Sequence, residues 1–255
     1  MSNASEPLAA DTQPPLPPRP WGYFTTLGWV VIANVIGSVI AMAALYYWNP
    51  AAFPAELDFS DSMKDARFVG VTTILGNVVQ IGLIVWAARK APWTVKEYLA
   101  LTWPSRQEVT VALVAFLILL PALDAMAYLA GQPIIPAFMT DLYRDAEATG
   151  SLLLLWLAIV IAAPVAEELI FRGFIFRSWV RSRQYAVLGI IVVAAVFAVI
   201  HLQYNWFGVF QVFLIGLMLT WTRWRSNSTL LPMVLHVIAN FYAMVQVVLY
   251  FRWFA

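Results

Sequence analysis

The sequence predicts an all-α membrane protein, a polytopic bundle of about seven transmembrane helices enclosing an intramembrane polar cavity. Three observations predict it. Of the 255 residues, 62% are hydrophobic and only 11% charged, with a mean hydropathy of +0.77, whereas soluble domains are about one-quarter charged. Long runs free of Asp, Glu, Lys and Arg recur at the length of roughly 20 residues that a spanning helix needs. Finally, Glu167 and Glu168 stand side by side at the end of the apolar run Ser151 to Ala166. An ionisable side chain in a span costs roughly 2.5 to 3.5 kcal/mol to insert, so such a pair marks a functional site. The net charge of +1 and the scattering of the basic residues give no electrostatic case for a nucleic-acid partner. The absence of cysteine excludes disulfides, thiolate nucleophiles and thiolate-bound metal.

Residues 1–20, rich in proline and without an apolar core, read as a disordered arm rather than a cleavable signal peptide. The first span is Trp21 to Trp48, with tryptophans at both ends matching the interfacial belt. A polar loop holding Glu56, Asp58, Asp61 and Asp65 leads to the second span, Phe68 to Ala88, which Arg89 and Lys90 stop. Trp93 to Trp103 is too short and too charged to cross and is expected to lie at the interface. The third span, Val109 to Leu129, carries Pro121 and a lone Asp124, and a second polar loop with Asp141, Arg144, Asp145 and Glu147 follows. The fourth, Ser151 to Trp179, is loosened near Pro164. The 39 residues from Gln184 to Thr222 without a formal charge hold two more spans, Val187 to Leu202 and Phe207 to Trp224, and Thr229 to Phe251 is the seventh. Eleven of the fifteen Lys and Arg then fall on the side of the N-terminus and four on the other. That bias predicts a multi-pass protein of the cell (inner) membrane with a cytoplasmic N-terminus. No internal repeat of the kind transporters carry is evident.

The chain has only two histidines, and both fall in apolar helices. At the i, i+4 spacing of one helix face, His236 pairs with Asn240, Phe197 with His201, and Glu168 with Arg172. Glu167 lies about 100° around the helix from Glu168, so the two carboxylates cannot share all their neighbours. Glu167 and His201 are each 17 residues from Gln184, which sets them level in a hairpin. His236, about ten residues from its own turn, sits at a matching depth only if the arginine-rich hairpin end protrudes, placing the cluster between the midplane and the cytosolic third. Taken singly, each feature has a structural reading: Glu168–Arg172 as an ion pair, each histidine as an interhelical hydrogen bond, Phe197 as packing, Asp124 as a partner for backbone freed by Pro121 in preference to a lining residue of the cavity. Together, two carboxylates, two imidazoles and an amide suffice for hydrolysis of a peptide bond by an activated water, without a serine or cysteine nucleophile.

The set Glu167-Glu168-x-x-x-Arg172, Phe197-x-x-x-His201 and His236-x-x-x-Asn240, in this order on successive helices, resembles the signature of the CPBP family, the CAAX-protease and bacteriocin-processing (ABI) intramembrane peptidases. All three motifs are present, over about Leu152 to Val245. The resemblance implies a glutamate-dependent intramembrane endopeptidase related to the type II CAAX prenyl endopeptidases. It makes 151–255 the catalytic membrane core and 21–150 a three-helix part with an interfacial segment. By position, Glu167 activates water with help from His201, His236 and Asn240 form the oxyanion site, and Glu168 and Arg172 order it. The expected partners are the lipid bilayer and a peptide or membrane-protein substrate, lipidated or not. No cofactor is expected; the alternative is zinc on His201, His236 and a glutamate, disfavoured by the lack of an H-E-x-x-H spacing. A silent scaffold or bacteriocin-immunity protein is a further reading, as is a proton-coupled carrier using Glu167, Glu168 and Asp124.

Overall fold

The computed structural model describes residues 21–48, 62–180 and 184–254, and every regular element among them is a helix. In chain order these are α1 (Tyr23–Trp48), α2 (Ala66–Arg89), α3 (Val95–Tyr98), α4 (Arg106–Leu129), α5 (Ala137–Thr149), α6 (Leu152–Trp179), α7 (Ala186–Val199), α8 (Trp206–Ser226) and α9 (Leu230–Trp253). Among the described residues, α1, α2, α4, α6, α8 and α9 are long and apolar enough to cross a membrane. The chain is a polytopic helical membrane protein. The predicted arm at 1–20, the acidic residues Glu56, Asp58 and Asp61, and Arg181 and Arg183 lie outside the described residues.

Two expectations are corrected. The predicted span Val187 to Leu202 is a helix of 14 residues, about 21 Å long at 1.5 Å per residue and short of the roughly 30 Å hydrocarbon core. It stops early because of His201. The Phe197 carbonyl, which would take the His201 amide in a continuing helix, instead accepts from His201 Nδ1 at 2.8 Å, while the His201 amide turns to Ala198 O. The second correction is the predicted polar loop after the third span, which is the helix α5. Its Met139, Leu142, Tyr143 and Ala146 are buried at amphipathic spacing, and its Arg144 and Glu147 are exposed. Gly150 ends it in the left-handed region at φ 70°, a conformation that glycine adopts without a steric penalty.

The helices alternate in direction, and specific contacts fix which ends are neighbours. Trp21 Nε1 donates to Ala87 O, joining the start of α1 to the end of α2. Thr229 N bonds Ala100 O and its hydroxyl bonds Leu99 O, so the α8–α9 turn meets the segment after α3. Arg89, Lys90, Lys96, Arg106, Arg177 and Arg225 gather at this basic end. At the opposite end Asp145 accepts from the first amide of α2, the Phe138 and Tyr204 rings meet at 6.1 Å, and Tyr143 packs on Phe251. The interfacial segment does more than lie on the surface, for Tyr98 and Leu99 are buried in the main apolar cluster with Ile84, Phe171, Phe174 and Phe197.

α1 and α2 pack closely through Ala33, Gly37 and Ala41, a stripe of small residues four apart. A Cβ on Gly37 would lie 2.7 Å from Gly76 O. Gly37→Leu is therefore expected to force the pair apart and to cost about 1–3 kcal/mol, read as a lower unfolding temperature in detergent.

Candidate active site

The site is assembled by irregularities in α6. Two stretches of it, Leu157–Ala162 and Leu169–Ile175, are π-helical, a form frequent at functional sites. In the first, the Ala163 amide bonds Ala158 O rather than Ile159 O. The next amide along belongs to Pro164, which has no N–H. Ile159 O is thus left without a main-chain donor, and Asn240 Nδ2 from α9 fills the place at 2.8 Å. In the second, the Phe176 amide is spent on Phe171 O, and Arg172 O accepts from Arg223 Nε of α8 at 2.9 Å.

Glu168 and Arg172, both without solvent exposure, form an ion pair at 2.8 Å. The guanidinium also donates to Gly216 O and stacks 4.3 Å over the Phe197 ring, a cation–π contact that is strong when dry. The same Glu168 oxygen accepts from His236 Nδ1 at 2.9 Å. His236 then points its other nitrogen, Nε2, at Glu167 Oε2 at 3.8 Å. His201 Nε2 approaches that oxygen from α7 at 4.0 Å. Because Phe197 O can only accept, His201 Nδ1 carries the proton, and in the neutral ring Nε2 presents its lone pair to Glu167. Glu167 Oε2 is buried and makes no hydrogen bond within the protein.

The two carboxylates therefore do have different surroundings, as their angular offset requires, but one imidazole touches both. Phe197 is the packing hub, with its centroid 4.8 Å from His201 and 5.7 Å from His236.

Glu167, His201, His236 and Asn240 line a cavity of 540 Å³. Its wall includes residues not singled out from the sequence. Thr73, Asn77 and Gln80 form a polar stripe on α2, at i, i+4 and i+7 in a mostly apolar helix, which was a readable signal. Tyr204 lies near-parallel to the His201 ring at 15°. Burial, with the Glu167 carboxylate adding, pushes its phenol up to about 12, so it stays neutral at any physiological pH. Asp124 faces the cavity and accepts from Tyr242 and from Gln246, the latter at 2.7 Å. It thus lines the cavity, one of the two roles the sequence left open, and its partners are side chains of α9 rather than backbone freed by Pro121.

Residues 149–242 match the family model described as type II CAAX prenyl endopeptidase Rce1-like. Over this segment the chain is similar to the type II CAAX prenyl endopeptidases. The Rce1-like segment runs from the end of α5 to the middle of α9 and contains Glu167, Glu168, Arg172, His201, His236 and Asn240. Asp124 and the polar stripe of α2 lie outside it. An uncharacterized 24.3 kDa protein of Escherichia coli is 37% identical over 106 residues, which cover 40% of this chain and 48% of that protein. The match thus spans about half the length of that relative. No solved structure matches the chain.

Proposed function

We propose that the protein is an intramembrane endopeptidase that hydrolyses a peptide bond with a water activated by Glu167 and His201. The observation that carries this reading is the convergence of His201 Nε2 and His236 Nε2 on one unpartnered oxygen of Glu167, at 4.0 and 3.8 Å, beside a cavity of mixed apolar and polar lining. A water between Glu167 and His201 meets two acceptors, which orient its protons and aim its lone pair at a substrate carbonyl. Glu167 takes a proton as the water oxygen bonds the carbonyl carbon. The negative charge that develops on the carbonyl oxygen meets His236, which in its imidazolium form donates from Nε2, and the second N–H of Asn240. Glu167 then hands its proton to the leaving nitrogen as the C–N bond breaks, giving a carboxylic acid and an amine. Glu168 and Arg172 are positioning residues: they hold the His236 ring through Nδ1 and anchor α6 to α8.

Two imidazole nitrogens and a carboxylate oxygen are also groups that zinc takes. Ligands at about 2.1 Å in a tetrahedron are about 3.4 Å apart, closer than the separations found, which favours the metal-free reading. The substrate is a peptide or membrane-protein segment that fits a chamber of 540 Å³ lined by both apolar and amide side chains. The test is digestion of a hydrophobic peptide by the purified full chain in water carrying a heavy oxygen isotope, read by mass spectrometry. Cleavage at one bond with a single heavy oxygen in the new carboxylate is expected; an intact peptide would contradict the proposal.

Pro164 provides a second test. In Pro164→Ala the new amide can serve Ile159 O and release Asn240 from its anchor. Turnover is expected to fall by at least roughly tenfold, since a misplaced oxyanion donor can cost 10² or more. The unfolding temperature should hold or rise, because a helix-interior proline is removed.

A further inference from the structure

Asp124 is a carboxylate that the proposed hydrolysis does not use. It lies well inside α4, where an ionisable side chain is costly and marks a functional position. Both of its donors, the Tyr242 hydroxyl and Gln246 Nε2, bind the same oxygen, Oδ2. Among the described residues nothing bonds Oδ1, which is open to the chamber. Gln211 Nε2 from α8 donates to the neighbouring carbonyl, Leu123 O, at 2.9 Å, so α4 is tied at this point to both α8 and α9.

The chamber around this oxygen lacks a counter-charge. Its described lining holds two carboxylates, Asp124 and Glu167, two imidazoles, and no Lys or Arg. Both imidazoles turn a nitrogen toward Glu167, and the guanidinium of Arg172 is engaged by Glu168 and Gly216 O. A low-dielectric cleft of one sign concentrates the opposite charge, and a free carboxylate oxygen takes an ammonium or guanidinium through a charge-assisted hydrogen bond. A metal ion asks for more ligands, and no group of three His, Asp or Glu suited to one occurs among the described residues.

Distance along α9 sets a register. Tyr242 and Gln246 stand 6 and 10 residues past His236, about 9 and 15 Å at 1.5 Å per residue. An extended peptide covers that span in about three or four residues at roughly 3.3 Å each. The α2 wall offers such a peptide free amides, for Asn77 and Gln80 make no hydrogen bond to another described residue.

We propose that Asp124 is a specificity residue that binds a Lys or Arg side chain of the substrate, about three or four residues from the scissile bond. The protein thus selects hydrophobic segments that carry a basic residue. The register rests on the peptidase reading, whereas the cation site does not. Asp124 and Gln246 lie outside residues 149–242, so the preference belongs to this chain rather than to the matched segment.

Two labelled hydrophobic peptides, acetylated and amidated and identical but for one central lysine or norleucine, test the site. Each is titrated by fluorescence anisotropy into the purified full chain carrying Glu167→Gln, which leaves Asp124 as the only carboxylate in the described lining. The lysine peptide is expected to bind about tenfold or more tightly, the strength of one charge-assisted hydrogen bond. Asp124→Asn keeps an oxygen for Tyr242 and Gln246, and adding it should bring the ratio of affinities close to one. Equal affinities in the Glu167→Gln chain, or a lysine preference that survives Asp124→Asn, overturns the site; the first titration decides even where the second variant does not fold. In the unmodified chain the cut should move with the lysine as that residue is shifted along the peptide, and a cut that stays in place overturns the register. A lysine preference without cleavage of either peptide overturns the register through the peptidase reading and supports the cation site.

Discussion

Glu167→Gln is expected to abolish peptide cleavage without harming the fold. The substitution removes the base and keeps the shape, and general-base catalysis contributes typically 10²–10⁴ in rate. Its oxygen Oε2 makes no hydrogen bond within the protein and faces two imidazoles at 3.8 and 4.0 Å. The unfolding temperature in detergent should therefore stay level or rise. His201→Ala is expected to lower turnover by a similar factor, since it removes the second acceptor of the same water. Groups that act as a unit are non-additive, so the double variant should be little worse than either single one. A scaffold or immunity protein would keep its phenotype in all three. Kinetics on a fluorogenic peptide, with thermal unfolding of the same preparations, separates these outcomes.

Arg172→Met is expected to have the largest effect on stability. It leaves the Glu168 carboxylate fully buried beside His236 alone, and it strips the guanidinium from Gly216 O and from the face of Phe197. Removing one partner of a buried ion pair costs about 3–5 kcal/mol, mainly because the remaining charge has no compensation. Adding Glu168→Gln should recover much of that loss, since a neutral pair of similar volume is tolerated in such places. Activity should not return with stability, because His236 then lacks the carboxylate that holds its Nδ1. Denaturant or thermal unfolding of the single and double variants, followed by turnover measured on the folded double variant, tests both halves.

The spanning helices were legible because a charge-free run of the right length has few other uses in a chain of this composition. α5 was not: its Asp141, Arg144, Asp145 and Glu147 read as a polar loop, and the four buried positions of the same helix were outweighed by charge. The early end of α7 depends on a bond from a side chain to its own helix, His201 Nδ1 to Phe197 O, which residue spacing permits but does not require. Much the same holds for α6. Pro164 announced a disturbance, but that the freed acceptor would be Ile159 O, and that Asn240 would take it from a helix 81 residues away, depends on packing. The pairings within one helix, such as Glu168 with Arg172, follow from spacing alone. The bridge made by His236 between the two carboxylates does not, because it depends on how α9 is rotated against α6. The polar stripe Thr73, Asn77 and Gln80 was there to be read, yet its use as chamber wall emerged only with the packing of α2 against the Rce1-like segment.

The central claim is that Glu167 and His201 activate water without a metal ion. It is tested most directly by turnover of a fluorogenic hydrophobic peptide by the purified chain after exhaustive removal of metal ions. The account predicts that cleavage continues at an undiminished rate and that added zinc does not raise it. Activity that vanishes with the metal and returns only when zinc is supplied would contradict it.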